Sequence, residues 1–197
     1  MHDVPVVLNV GGGSKQIAIP SHYESWIHCL LDVAPGPDVD LVLDSRHLTK
    51  LDPGQFDAIY CSHNLEHYYS HDCPKVLAGF LHVLKPNGFA EIRVPDMTAV
   101  VQAMVNNGLD IDDVLYNSSA GPISVHDVFY GWGPEIERSG VDFYAHKRGF
   151  TVQSLTAELK RAGFMWVVTN VTGAGYEIRA LGFKSEPTEA QKTTFGL

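Results

Sequence analysis

"VVLNVGGGSKQ", Val6 to Gln16, is the stretch on which the fold turns. Its first half is a β-branched run that reads as a strand buried on both faces, extending back to Val4. Three consecutive glycines then close it. Glycine gives up more backbone freedom on folding than any other residue. A run of three at a strand end therefore marks a turn where main chain must approach something closely. In an open parallel sheet, the turn after the first strand is where ligands collect.

Working outward, similar apolar runs follow at "IHCLLDV" (27–33), "DLVLD" (40–44), "FDAIYCS" (56–62) and "FAEIRVP" (89–95). Between the last two, "HDCPKVLAGFLHVLKPNG" places Val76, Leu77, Phe80, Leu81 and Leu84 on one helical face. Asp72 and Pro74 suit the start of that helix, and Lys85-Pro86-Asn87-Gly88 suits its end. A second helix is expected over "TVQSLTAELKRAGF", with Thr151 as its cap, Val152, Leu155 and Leu159 inward, and Gly163 at its close. "MWVVTNV", "TGAG" and "YEIRALGF" read as a terminal hairpin.

Alternating strands and helices predict an α/β domain with a mostly parallel sheet and a C-terminal antiparallel hairpin at or near one edge. Residues 1–197 form one domain in this reading. Asp32 to Val39 is too short for a crossover helix, so either an extended loop makes the connection or Asp40 to Asp44 is barely a strand. From 107 to 147 the periodicity fails, while Tyr116, Phe129, Tyr130, Trp132, Phe143 and Tyr144 gather there. A loop region of that length reads as a lid or substrate-binding insertion, the alternative being a long connection with a minor core of its own. The segment 186–197 reads as a loose tail.

The chain has 197 residues, 45% hydrophobic and 19% charged, an ordinary globular balance. A domain of this size removes roughly 70% of its unfolded surface from water. Acidic residues outnumber basic ones by 23 to 14, and no basic stripe offers to neutralise phosphates, so no nucleic-acid partner is expected. No apolar run is long enough for a membrane span and no export signal precedes the first strand, which points to the cytoplasm. Cys29, Cys61 and Cys73 show no metal or redox spacing and read as reduced core thiols.

Spacing limits what the glycines can bind. A dinucleotide fingerprint needs a third glycine where Gln16 stands, and a phosphate loop needs its lysine after a later glycine, whereas Lys15 follows Ser14. What remains is close approach to an uncharged part of a nucleoside. Asp32 ends the second run about 20 residues beyond the turn, where a carboxylate meets a ribose diol in doubly wound folds. Asp44 ends the third and suits an exocyclic amino group such as that of adenine. Together they favour an adenosine site.

The series "LNVGGGSK", "LLDV", "LVLDSRHL", "FDAIYCSHNLEH" and "HVLKPNGFAEIRVPD" resembles the small, type-11-like class I S-adenosylmethionine-dependent methyltransferases, strongly over about 6–96 and more weakly over "HKRGFTVQSLTAELKRAGF". The resemblance implies a Rossmann-like sheet with shortened early helices, S-adenosylmethionine as cofactor, and methyl transfer to O or N of a small-molecule or sugar acceptor. It places Asn9, Gly11, Gly12, Gly13, Asp32, Val33, Asp44, Ser45, Arg46, Ser62 and His63 against the cofactor. Two features depart from the family pattern: Gly12 in the middle of the turn, and the helix after it cut to about Ser21 to Trp26.

Methyl transfer from a sulfonium mainly needs alignment, plus removal of a proton when the acceptor is a hydroxyl. Histidines suit that task at neutral pH. The catalytic candidates are His126 and His146 in the aromatic segment, His63 after the fourth strand and Asp96 after the fifth. His63, Glu66 and His67 do not make an HExxH motif, and no metal is expected. Competing readings are a catalytically silent module on the same fold and a nicotinamide-dependent oxidoreductase. Oligomeric state is open, a homodimer included.

Overall fold

The computed structural model describes residues 4–118, 121–173 and 175–197. Its strands are β1 (Val6–Val10), β2 (Ile27–Asp32), β3 (Leu41–Val42), β4 (Phe56–Ser62), β5 (Leu84–Pro95), β6 (Val114–Ser118), β7 (Gly121–Ser124), β8 (Trp166–Val171) and β9 (Glu177–Phe183). Its helices are α1 (Cys73–Val83), α2 (Met97–Asn107), α3 (Val125–Tyr130), α4 (Gly133–Ser139), α5 (Val152–Ala162) and α6 (Glu189–Phe195). Seven strands form one sheet in the order β3-β2-β1-β4-β5-β9-β8, and β6 and β7 pair separately. Strands β1 to β5 run parallel, while β9 lies antiparallel between β5 and β8. The expected α/β sheet with its terminal hairpin is present, and the strand order reverses at β1.

Both explanations of the short link between β2 and β3 hold. β3 is two residues long, and the loop before it is fixed by side chains in place of a helix. Asp40 accepts from the Leu30 amide at 2.7 Å and pairs with Lys15 at 2.6 Å, and the Ser14 hydroxyl donates to Asp38 at 2.6 Å. The loop thus ties itself to the glycine turn. After that turn, a single 3-10 turn over Ser21–Tyr23 is all that stands where a helix was expected up to Trp26.

One face of the sheet is covered by α1 and α5, whose Val76, Leu77, Phe80, Leu155 and Leu159 bury Leu8, Ile59, Cys61, Ile92 and Val94. Each such fully buried side chain contributes about 1.5–3 kcal/mol relative to exposure. Thr151 caps α5 in a reciprocal box with Ser154, and Gly163 ends it at φ +108°. The opposite face is aromatic, with Tyr23, Tyr60, Phe89 and Phe183. Glu91 is fully buried on β5. It accepts from Arg179 (2.7 Å), Arg93 (3.0 Å) and Tyr23 (3.2 Å) and lies 2.9 Å from the His22 ring.

Several expectations need correction. The tail is not loose: Thr188 and Gln191 cap α6, and Phe195 packs edge-on against Phe89 and His22 at 5.1 and 5.2 Å. Helix α2 went unread because Val101 and Val105 point outward and blur its apolar face, although Asp96 caps it and Gly108 closes it. Lys85 to Gly88 does not end α1 in a turn but belongs to β5, where a shift in pairing between Phe56 and Ala58 absorbs the extra residues. Asp72 makes no capping bond, because its carboxylate binds Lys75 and Arg46. Cys61 and Cys73 are buried free thiols, whereas Cys29 is only half-buried. The described residues of 107–147 have secondary structure of their own and a small core of Val125 and Val128 against Val100 of α2. Among the described residues no helix is long and apolar enough to cross a membrane.

Candidate functional site

The glycine turn sits at the carboxyl end of β1, beside the end of β2. Gly11 (φ +71°) and Gly13 (φ +67°) occupy the left-handed region, and the Gly11 amide donates to the Leu31 carbonyl at 2.8 Å. A side chain at Gly11 would overlap the Asn64 amide, and one at Gly12 would overlap that of Asn9. At two of the three glycines a side chain is thus excluded by the protein's own asparagines. Only Gly13 opens onto free space. Its amide points to the Asp32 carboxylate at 3.3 Å, which also accepts from the Ala34 amide at 3.0 Å.

Asp44 ends the β3 segment and caps the 3-10 turn Ser45–Lys50 through the Arg46 amide at 2.9 Å. Its carboxylate is also gripped by the Arg46 guanidinium, at 2.6 Å from Nη2 and 3.0 Å from Nε. Burial works to raise the Asp44 pKa, but this pairing outweighs it and leaves it lowered. Asp44 presents an ion pair, not a free anion. A cavity of about 110 Å³ lies here, lined by Val33, Asp44, Arg46, Asn64, Tyr68, Phe143 and Lys147 among others. Ser45, the next residue, is buried. The Oδ1 of Asn64, beside Gly11, is buried without a hydrogen-bond partner.

Beyond Ser62, the last residue of β4, His63 adopts φ +48°, unusual for a residue with a side chain. Its amide donates to the Arg93 carbonyl (2.9 Å), and its ring lies between Glu177 (3.0 Å) and Glu66 (3.4 Å). Desolvation opposes charge on this ring, but the two carboxylates prevail and hold its pKa up at about 10. Its side chain keeps 51% of its surface exposed, so solvent screens the pairing.

The short turn Leu65–His67 then carries Glu66 into the interior. Only 1% of Glu66 is exposed, and neither carboxylate oxygen has a hydrogen-bond partner. Desolvation favours its neutral form, yet the charged His63 ring 3.4 Å away outweighs it and keeps the Glu66 pKa lowered. His146 reaches this point because the Lys147 and Arg148 amides donate to the Glu66 carbonyl at 2.9 and 3.2 Å. Its Nδ1 donates to the Val128 carbonyl at 2.8 Å, which leaves Nε2 with its lone pair 4.0 Å from Glu66 Oε1. Burial lowers the His146 pKa. A second cavity, about 220 Å³, is lined by His63, His67 and His146 together with Tyr116, Trp132, Tyr144 and Tyr176, while Glu66 lies buried behind the histidines.

Of the four catalytic candidates, the structure joins His63 and His146 and separates the other two. His126 is exposed on α3 and packs on Tyr130 with ring centroids 4.9 Å apart, outside the cavity lining. Asp96 is buried as the cap of α2, accepting from the Thr98 amide at 2.9 Å, and borders a groove along that helix. Glu177 and Tyr176 were missed. They follow the terminal turn, and nothing in their local sequence marks them.

Residues 28–92 match the family model of a methyltransferase domain. The chain also superposes on a SAM-dependent methyltransferase from Archaeoglobus fulgidus, with a TM-score of 0.59 at 12% identity over 92% of this chain and 86% of that one. The fold is that of a class I methyltransferase.

Other solved methyltransferases share it. The 1,6-didemethyltoxoflavin-N1-methyltransferase of Burkholderia thailandensis, solved with 1,6-didemethyltoxoflavin and S-adenosylhomocysteine bound, gives a TM-score of 0.55 at 17% identity, covering 93% of this chain and 72% of that one. An O-methyltransferase family protein from the same organism gives 0.56 at 14% identity, covering 93% and 52%. No curated protein matches the sequence. Within the class I methyltransferase fold, the glycine turn and the ends of β2 and β4 surround the point where the sheet reverses its strand order.

Proposed function

We propose that this chain is an S-adenosylmethionine-dependent methyltransferase whose acceptor is a small molecule bound in the histidine-based cavity. The observation that carries the reading is the pairing of Gly13 with Asp32: open space in front of bare main chain, beside a carboxylate with lone pairs to spare. Asp32 suits the ribose hydroxyls, with Val33 and the Asp44–Arg46 pair towards the adenine and the Ser45 backbone behind it. The unpartnered Oδ1 of Asn64 fits the ammonium of the methionine portion, an acceptor awaiting a donor. Ser62 and the cationic His63 stand where the carboxylate end would lie. Asn9, packed behind Gly12, acts through the turn.

The cofactor supplies a methyl group on sulfonium sulfur, already activated for displacement. What the chain has to supply is alignment to about 3–3.5 Å and a place for the acceptor's proton. Residues 107–147 serve as the lid, contributing Phe143 and Lys147 to the first cavity and Tyr116, Trp132 and Tyr144 to the second. At 110 Å³ the first is well below the roughly 300 Å³ at which ligand clefts begin, so Phe143 and Lys147 move outward for the cofactor to enter.

Parallel calorimetric titrations with S-adenosylhomocysteine and NAD test the reading. A single S-adenosylhomocysteine site and no heat with NAD are expected. Binding of NAD, or no binding of S-adenosylhomocysteine, overturns it.

A further inference from the structure

The geometry points to a divalent metal site at the base of the acceptor cavity, formed by Glu66, His67 and His146, for a first-row transition ion of the zinc or cobalt kind. One potential ligand atom from each residue lies within 4.8 Å of the other two. A carboxylate oxygen and two imidazole nitrogens are the donors that suit such ions, and three protein ligands leave positions open for substrate.

The burial of Glu66 is the independent observation. A carboxylate removed from water normally has its oxygens satisfied, because leaving them bare costs more than a hydrogen bond returns. Here neither oxygen has a hydrogen-bond partner although the side chain is 1% exposed: Oε1 has only the longer ion-pair contacts to the His63 ring at 3.4 Å and His146 at 4.0 Å. His146 is prepared in the way metal-bound histidines usually are: its Nδ1–H is committed to the Val128 carbonyl, which fixes the tautomer and aims Nε2 inward. His67 has both ring nitrogens near carbonyls, Ala145 at 3.1 Å and His63 at 3.2 Å, and gives up one contact to ligate. Ligand bonds of about 2.0–2.2 Å require the three groups to close by roughly 1 Å. The surrounding charged groups are His63, which faces Glu66, and Glu177 on β9 and Asp127 on α3.

Its purpose rests on the methyltransferase reading. An acceptor hydroxyl bound at an open position becomes more acidic, its O–H bond breaks with the proton passing to water, and the electron pair stays on oxygen. The sequence spacing gave no sign of this site because 79 residues separate the two histidines.

The test is titration of the chelator-treated, full-length chain with Co²⁺, read by visible absorption and by stoichiometry. One Co²⁺ per chain is expected, displaced by Zn²⁺. Glu66→Gln and His146→Ala should each weaken it by roughly 100-fold, since even supporting partners of metal ligands are worth 10–100-fold. His47→Ala, an exposed histidine elsewhere, should leave it unchanged. No saturable binding by the native chain overturns the proposal, as does binding that survives in both ligand variants or is lost in His47→Ala. Circular dichroism checks that each variant is folded, and two ligand variants guard against one that is not. Titration of the same samples with S-adenosylhomocysteine separates the two readings. Binding of that ligand without Co²⁺ removes only the metal, and Co²⁺ without it removes only the methyltransferase function.

Discussion

His146 Nε2 stands 4.0 Å from Oε1 of Glu66, with the imidazole 12% and the carboxylate 1% exposed, although 80 positions separate them in the chain. The main-chain bonds from Lys147 and Arg148 to the Glu66 carbonyl make that meeting possible by clamping the chain just after His146 to the turn after β4. Glu66→Gln keeps the shape of the side chain and removes its charge. With an acceptor in hand, this variant and His146→Ala should each lower kcat by about 100-fold or more, the range typical of lost proton-transfer or metal groups. The affinity for S-adenosylhomocysteine should stay within about twofold in both, because neither group faces the glycine turn. Steady-state kinetics paired with calorimetry checks this.

Asp32→Ala should weaken S-adenosylhomocysteine binding by about ten- to a hundredfold. A charge-assisted hydrogen bond contributes roughly 1.5–3 kcal/mol, and each 1.4 kcal/mol is a factor of ten. An unchanged dissociation constant would remove Asp32 from the site.

Gly12→Ala should destabilise the fold through Asn9, whose amide fills the space a methyl group would need. Asn9 is buried and meets His28 at 3.1 Å, so it has little freedom to move aside. Overpacking of this kind costs about 1–3 kcal/mol. The double variant Gly12→Ala/Asn9→Ala should therefore lose less stability than the sum of the two single changes, since contacting residues are not additive. Urea unfolding of the four proteins measures the coupling, and strict additivity would disprove the contact.

Glu91→Gln should cost about 3–5 kcal/mol at neutral pH, because it leaves two arginines facing a buried site without their anion. Burial alone would raise the Glu91 carboxyl pKa, but Arg179 and Arg93 outweigh it and keep it below its usual 4.5. A carboxyl with a depressed folded pKa stabilises fully above its unfolded pKa and loses that contribution as pH falls through the folded value. The difference between native chain and variant should hold from pH 7 to about 5 and shrink below about 4.3. Chemical unfolding at stepped pH follows it.

Strands and the two main helices were legible because local chemistry agrees with the tertiary outcome: β-branched runs are buried in the sheet, and Thr151 and Gly163 bound α5 as their residue types predict. Helix α6 was not, since it docks through scattered side chains, Phe195 into the aromatic cluster and Gln191 onto the Asn87 carbonyl. The glycine turn was located correctly and explained only in part. Its first two residues make room for Asn9 and Asn64, a relation between distant side chains with no periodic signature. The histidines gave the same difficulty. Sequence supplied His63, His126, His146 and Asp96 as candidates, and the main-chain bonds from Lys147 and Arg148 to Glu66 separate His146 from His126, which faces outward from a short helix whose inward side is Val125 and Val128.

The most direct measurement is a crystal structure of the chain soaked with S-adenosylhomocysteine. The account predicts ribose hydroxyls within hydrogen-bond distance of the Asp32 carboxylate, the Gly13 main chain against the ligand, and the thioether sulfur directed towards the cavity above His63 and His146. A ligand seated elsewhere, or Asp32 turned away from the sugar, would contradict it.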